Sequence, residues 1–327
     1  MLVERGHEAY WCGDVDTTEE GGPIGFPLND EEGFDPAIVV LAGGWPVKFG
    51  ADRIRWAQRG GQKIVCDCDD WPWLPTTNPH YEIGAAERKL GALRQADAIT
   101  CSTPFIQQGL AEYDIDATLC RNIIDPRRYD FSRGYNRPNP DWNITPPHDE
   151  RLVVGYRGML CGFHDDDVRA ARGQLPIEHT RYVHVGADPR ERKSFAQLAR
   201  VPAADVERRD AVPFDDYGPQ LDGIDIAIIP YANRAFSAAK SNIAALEWTA
   251  AGVPWLGGLN AETVALDPIV LTDNERGRWT ERLGDYRDPS KRQTLWELQW
   301  EAMLAWNRMA DDGAWERAVL GTTRILA

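Results

Sequence analysis

Two charged residues stand seven apart in a run of small ones: "AKSNIAALEWTAAGVP" (239–254) carries Lys240 and Glu247. Seven residues is almost two turns, so one continuous helix would put both on one face, about 10 Å apart along the axis. A strongly apolar strand-like run, "GIDIAIIPY" (223–231), precedes them, and Ser237 falls where such a helix would start. Free N–H groups and the dipole at that end favour anions, especially phosphates. A lysine in the first turn works against the dipole, and binding a diphosphate is a reason for one to be there. A carboxylate further down could accept two hydrogen bonds from the vicinal hydroxyls of a ribose. Ala238, Ala239, Ala244 and Ala245 keep the face low enough for a flat nucleotide to approach. The competing reading is a surface helix with two ordinary charges.

Other stretches carry chemistry of their own. Arg157 and Gly158 lie in "GYRG" (155–158), after a strand-like run. A glycine turn lets backbone approach a phosphate, and arginine supplies a forked donor. The alternative is a surface arginine in a turn. "DCDDWPW" (67–73) ends a strand in acids. Its Asp-x-Asp suggests a divalent metal on a sugar nucleotide, yet it sits in the first half and the nucleotide signature in the second. Asp69 and Asp70 therefore read as facing a cleft from the acceptor side, one of them as a general base toward a hydroxyl, with turn capping as the alternative. "FHDDD" (163–167) reads as acids at a helix start, with His164 able to reach a ligand across the glycine turn. Arg121, Arg127, Arg128, Arg133 and Arg137 are offset only by Asp125 and Asp130, a local excess of +3 that could track a phosphate backbone or be a solvated loop.

Those residues need a frame. With 327 residues and 43% hydrophobic content the chain can bury two ordinary cores. A net charge of −15 argues against generic nucleic-acid binding without excluding a local basic groove. Six cysteines form no zinc-like tetrad and read as buried reduced thiols, which suits a cytoplasmic location. No signal peptide and no apolar run of membrane-spanning length is visible.

Strands alternate with helices: strand-like runs at 34–44, 63–73, 97–103 and 117–125, with helices at 53–62, 81–96 and 104–113 between them. Residues 126–150, rich in Pro, Asn and Arg, read as a linker or hinge. Alternation resumes at 151–158, 165–175, 181–187 and 223–231, then with the helix above and short strands in "VPWLGG" and "DPIVLT". The tail from Lys291 is helical and holds Trp296, Trp300, Trp306 and Trp315. This is an α/β chain of two Rossmann-like halves: residues 1–125, a hinge over 126–150, residues 151–290, and a helical segment over 291–327. The front, "LVERGHEAYWCG", reads as a helix end, a turn and a second strand, so the opening strand of the first half is expected to be missing and the acceptor side correspondingly open.

"FSAAKSNIAALEWTAAGVP" resembles the donor-binding motif of GT-B glycosyltransferases, in which a helix starts near the phosphates and a glutamate grips the ribose. Many members carry two glutamates flanking seven residues; here Ala239 takes the first place and Glu247 the second. "RLVVGYRG", "DAITCSTPFIQQGL" and "CRNIIDPRRYDF" resemble, in order, other segments of that fold. "DxDDxxW" with "AKSNxxxLEW" most resembles phage-encoded glycosyltransferases. The resemblance implies two Rossmann-like domains facing a cleft, a C-terminal helix crossing back, and transfer of a sugar from a nucleotide-diphosphate sugar to an acceptor hydroxyl. It implies donor binding by Arg157, Gly158, Ser237, Lys240, Ser241 and Glu247, with Asp69 and Asp70 as catalytic candidates. Arg121, Arg127 and Arg128 lie on the acceptor side, and no metal or other cofactor is required. The acceptor it suggests is a 5-hydroxymethyl pyrimidine in double-stranded DNA. A polysaccharide acceptor and a sugar-nucleotide-binding protein without catalysis are the rivals. No protein partner is indicated.

Overall fold

The computed structural model describes residues 38–42, 45–69, 85–125, 151–160, 163–176, 178–188, 191–212, 217–221, 223–232, 234–258, 260–266, 271–272 and 278–320. The expected shortened front, Asp70, Arg127, Arg128 and the 126–150 hinge lie outside the described residues.

The first half contains β1 (Ile38–Ala42), α1 (Trp45–Arg59), β2 (Lys63–Cys68), α2 (Ala85–Leu93), β3 (Ala98–Cys101), α3 (Pro104–Ala111) and β4 (Thr118–Leu119). Its strands pair in parallel in the order β1-β2-β3-β4. α3 starts where Thr103 accepts the Ile106 N–H and Pro104 takes the first helical position, a place that needs no donor. α1 reaches further back than its sequence suggests, through a bend at Gly50, whose φ of 73° only glycine adopts readily.

The second half contains β5 (Leu152–Arg157), α4 (Phe163–Ala170), β6 (Thr180–Ala187), α5 (Phe195–Ala199), β7 (Val206–Asp210), β8 (Ile226–Ile229), α6 (Ala235–Ala239), α7 (Ile243–Ala250), β9 (Trp255–Gly258), α8 (Ala261–Val264) and β10 (Leu271–Thr272). α9 (Arg278–Asp285), α10 (Pro289–Ala310) and α11 (Ala314–Leu320) follow. The strand order is β10-β9-β8-β5-β6-β7, again parallel. Every residue of β8 is buried, as a strand covered on both faces requires. One core sets the sheet against α7 and α10 through Ala245, Leu246, Trp248, Met303 and Trp306. The other sets it against α4, α5 and α9 through Val168, Phe195, Leu198, Trp279 and Leu283.

The helical tail crosses back, as the resemblance implied. Trp306 Nε1 donates to the Asn122 carbonyl at 2.8 Å, and the Asn307 amide bonds both the N–H and the carbonyl of Ile124. α11 packs on β3 and β4, and Lys63 Nζ donates to the Ala318 and Val319 carbonyls. Among the described residues no helix is long and apolar enough to cross a membrane.

One expectation needs correction. The helix from Ser237 to Gly252 is not continuous: α6 ends at Ala239, Lys240 is extended (φ −63°, ψ 136°), and α7 starts at Ile243. The carbonyls a continuous helix would use are taken from outside. Asn260 Nδ2 donates to the Ser237 and Lys240 carbonyls at 2.6 and 3.1 Å, and Thr103 Oγ1 donates to the Ala239 carbonyl at 3.2 Å. Lys240 therefore stands in a break before the helix that carries Glu247, not in its first turn.

Candidate functional site

β5 and β8 are hydrogen-bonded neighbours, so their carboxyl ends open on the same place, the usual ligand position in parallel sheets. β5 delivers Arg157 and Gly158. Gly158 has φ 126°, which a side chain would oppose; its N–H donates to the Val185 carbonyl at 3.0 Å. Its carbonyl accepts from His184 Nε2 at 2.8 Å, which places a proton on that nitrogen. Burial pushes the His184 pKa down. The Leu160 N–H donates to Glu191 Oε1 at 2.7 Å, so the glycine turn is held at three points.

Arg157 forms an ion pair with Glu247 Oε2, and its guanidinium lies 5.9 Å from the centroid of the Tyr217 ring. Both side chains of the pair are mostly buried, at 24% and 13% exposure. From sequence, Arg157 and Glu247 had separate tasks at opposite ends of a nucleotide; the structure joins them into one charge-balanced unit between β5 and α7.

After β8 the chain enters α6. Ser237 is not an open helix start: it is inside α6, 2% exposed, and donates to Asp167 Oδ1 at 2.6 Å. The same oxygen accepts the Ala232 N–H at 2.8 Å. Burial raises the Asp167 pKa to about 6, against those two hydrogen bonds and the Lys240 charge. Asp167, read from sequence as one more charge at a helix start, thus ties α4 to α6. His164 Nδ1 stands 3.9 Å from Asp167 Oδ2, and its ring meets Phe236 edge-on. Lys240 Nζ lies 4.5 Å from the centroid of the same Phe236 ring, a cation–π distance.

Ser241 and Asn242 lead into α7. Ser241 is 7% exposed; its Oγ accepts from Asn122 Nδ2 at 2.7 Å, and its carbonyl accepts from the Tyr231 hydroxyl at 3.3 Å. Asn242 occupies the N-cap position of α7, fully buried, and neither amide atom has a hydrogen-bond partner among the described residues. The α7 start therefore offers unspent polar capacity beside Lys240, at the pole where anions are favoured.

The acceptor-side candidates are not gathered there. Asp69 is exposed at the end of β2, in the other sheet, and its carbonyl accepts from Ser102 Oγ at 3.3 Å. Asp67 accepts from Thr100 Oγ1 at 2.5 Å; burial raises its pKa and the hydrogen bond opposes the rise. Arg121 faces the second half, not an open groove. Its Nε is 3.8 Å from Glu262 Oε2, and its guanidinium lies 5.5 Å from the centroid of the Trp306 ring. Burial raises the Glu262 pKa, and Arg121 lowers it. Among the described residues no group of three or more His, Cys, Asp or Glu side chains could hold a metal ion.

Sequence reading missed Asn122, Asp167, Tyr217, Asn242 and Asn260. Asn242 was legible as an N-cap type just before an apolar helix. The others act through contacts distant in the chain, from 20 residues for Asn260–Lys240 to 119 for Asn122–Ser241, and leave no local pattern.

No family model and no curated protein matches the chain. Solved structures do. Anabaena HepE in complex with UDP and glucose is 14% identical, with a TM-score of 0.61, over 86% of this chain and 78% of that one. An apo structure of OtsA is 12% identical, with a TM-score of 0.58, over 89% and 74%. An α,α-trehalose 6-phosphate synthase from Burkholderia multivorans is 11% identical, with a TM-score of 0.57, over 87% and 71%. At such identities the likeness carries the fold: two parallel α/β sheets in the GT-B arrangement.

Proposed function

We propose that the chain is a glycosyltransferase that moves a sugar from a nucleotide-diphosphate sugar to an acceptor hydroxyl. One observation carries the reading. Arg157 and Gly158 at the carboxyl end of β5 meet α7 through the Arg157–Glu247 ion pair, and the break that carries Lys240 and Ser241 leads into the same helix, within a fold shared with a structure that holds UDP and glucose. In this reading residues 151–290 bind the donor, 1–125 face the acceptor, 126–150 are the hinge, and 291–327 return to the first half. Lys240 and the start of α7 take the diphosphate, Gly158 gives it room, and the Arg157–Glu247 pair spans diphosphate and ribose. Ser237 supports α6 through Asp167. The positive groups stabilise the charge that develops on the departing nucleoside diphosphate. An inverting reaction draws its base from Asp69 or Asp70; a retaining reaction relies on the leaving-group cations. No metal ion enters the scheme, so chelation leaves transfer intact. The four described cysteines, Cys66, Cys68, Cys101 and Cys120, are free and buried, which supports a reducing, cytoplasmic setting.

For the acceptor, likeness to phage-encoded enzymes and the five arginines at 121–137 support a 5-hydroxymethyl pyrimidine in DNA. A polysaccharide is the second reading, favoured by the net charge of −15 and by the engagement of Arg121 with Glu262.

The test is incubation with UDP-, GDP- and dTDP-sugars and hydroxymethylated DNA, followed by nucleoside mass spectrometry, with and without EDTA. Glycosylated nucleoside is the expected product. In parallel, Lys240→Ala should weaken nucleotide binding by roughly 1.5–3 kcal/mol in calorimetry; unchanged affinity removes the donor-site assignment.

A further inference from the structure

The donor site is built on the second sheet, yet one of its side chains is oriented from the first half. Asn122 follows β4, three residues beyond Leu119. Its neighbourhood is fixed: Trp306 Nε1 holds its carbonyl, and Asn307 holds Ile124 on both sides of the peptide chain. From there Asn122 Nδ2 donates to Ser241 Oγ at 2.7 Å. Two further contacts join the halves around this point, Thr103 to the Ala239 carbonyl and Arg121 to Glu262.

A serine hydroxyl has one proton and two lone pairs. With a lone pair filled by the Asn122 amide, the Ser241 proton must point elsewhere. Among the described residues no acceptor takes it: the Oγ bond from Asn122 and the carbonyl bond from Tyr231 are the contacts Ser241 makes. The hydroxyl stands two residues before α7, beside the unpartnered Asn242 amide and next to Lys240, where an acceptor-rich anion is favoured.

We infer that Asn122 is a positioning residue of the donor site: by donating to Ser241 it turns that hydroxyl into a donor for a diphosphate oxygen. This rests on the donor-site reading above. Because the contact spans both halves, nucleotide binding and the interdomain contact strengthen each other by the same factor.

The substitution that separates orientation from packing is Asn122→Asp. It keeps the shape, but a carboxylate only accepts, so it would take the Ser241 proton and turn the hydroxyl away from the ligand. Its charge also repels a diphosphate, so the measurement is a double-mutant cycle with Ser241→Ala, in which the charge effect cancels. Affinities for UDP, GDP, ADP and dTDP are measured calorimetrically, and the tightest ligand is used throughout. Asn122→Asp should lower affinity by about tenfold beyond its effect in the Ser241→Ala background. Asn122→Ala, which frees the hydroxyl without reversing it, should cost about threefold with Ser241 and nothing without it. If Asn122→Asp fails to fold, the Asn122→Ala cycle decides alone. Equal losses in both backgrounds overturn the inference while leaving the donor site standing. Failure of the unsubstituted protein to bind any of the four nucleotides removes the donor-site reading and this inference with it.

Discussion

At the carboxyl ends of the first sheet, polar groups are spent on each other. Asp67 takes the Thr100 hydroxyl, Ser102 donates to the Asp69 carbonyl, and Thr103 reaches over to Ala239. Beneath them lies a thiol-lined interior in which burial pushes Cys66, Cys68 and Cys120 up to about 12. At the equivalent ends of the second sheet stand the Gly158 turn and the Arg157–Glu247 pair, and the helix that carries Glu247 starts, next to Lys240, at Asn242, whose side-chain amide has no hydrogen-bond partner among the described residues. Two sheets of the same topology class thus do different work. The second keeps an ion pair and a glycine turn at its rim, the place where the proposed donor site lies, and the first turns its polar rim into a surface against which the second is set.

The contrast is sharpest in how tightly each half is filled. A Cβ at Gly155, in β5, would stand 2.8 Å from Ile224 Cγ2 and 3.0 Å from Trp248 Cη2, both deep in the core. Gly155→Ala should cost about 3 kcal/mol of stability in urea unfolding. In the first half, a Cβ at Gly91 in α2 meets nothing within 4 Å, and Gly91→Ala should gain about 0.5–1 kcal/mol. Destabilisation of similar size at both positions would break the comparison.

A somewhat smaller effect tests where the charge is concentrated. On the proposed donor site, Arg157→Ala should reduce nucleotide affinity by about 2 kcal/mol, since it removes a cation assigned there to the diphosphate and takes from Glu247 its ion-pair partner. The measurement is calorimetric titration with UDP; removal of Arg94, an exposed first-half residue that donates to the Tyr113 carbonyl, should change nothing there.

A pH dependence traced to one residue of the second half is the remaining test. Asp167 has a folded pKa of about 6, above the 3.8 of an ordinary aspartate, because it is buried. A raised pKa means the folded chain holds the proton more tightly. Its contribution to stability is full below about pH 4 and is lost as pH rises through 6. Asp167→Asn should erase this component, on the order of 2 kcal/mol, seen as the difference between wild-type and variant urea midpoints from pH 4 to 7. His184, whose pKa burial lowers, works in the opposite direction and is common to both proteins, so it drops out of the difference.

Much of the frame was legible because parallel strands buried on both faces must be apolar nearly end to end, as in "IAII" of β8 and "LVVGY" of β5. β7, "VERRD", was invisible for the same reason: it is a charged strand at the sheet edge, partly exposed, with Arg209 paired to Glu207. The residue types of the site were readable, but their geometry was not. A run of Ala, Ser and Asn permits an unbroken helix, and the break at Lys240 depends on Asn260 and Thr103, which arrive from other elements and occupy its carbonyls. Arg157 and Glu247 are 90 positions apart, and nothing local announces that they meet.

The return of the tail sets a clock on protein synthesis. β3 and β4 are among the earlier strands to leave the ribosome, yet the helix that packs on them is α11, near residue 320, and Lys63 finds its carbonyl partners only at Ala318 and Val319. Domains usually fold in the order in which they are made. Here the half translated first receives its α11 contacts only after the second half has been made and the chain has doubled back. The part of β3 and β4 that α11 packs on is therefore bare longest, from translation of β4 until translation of α11.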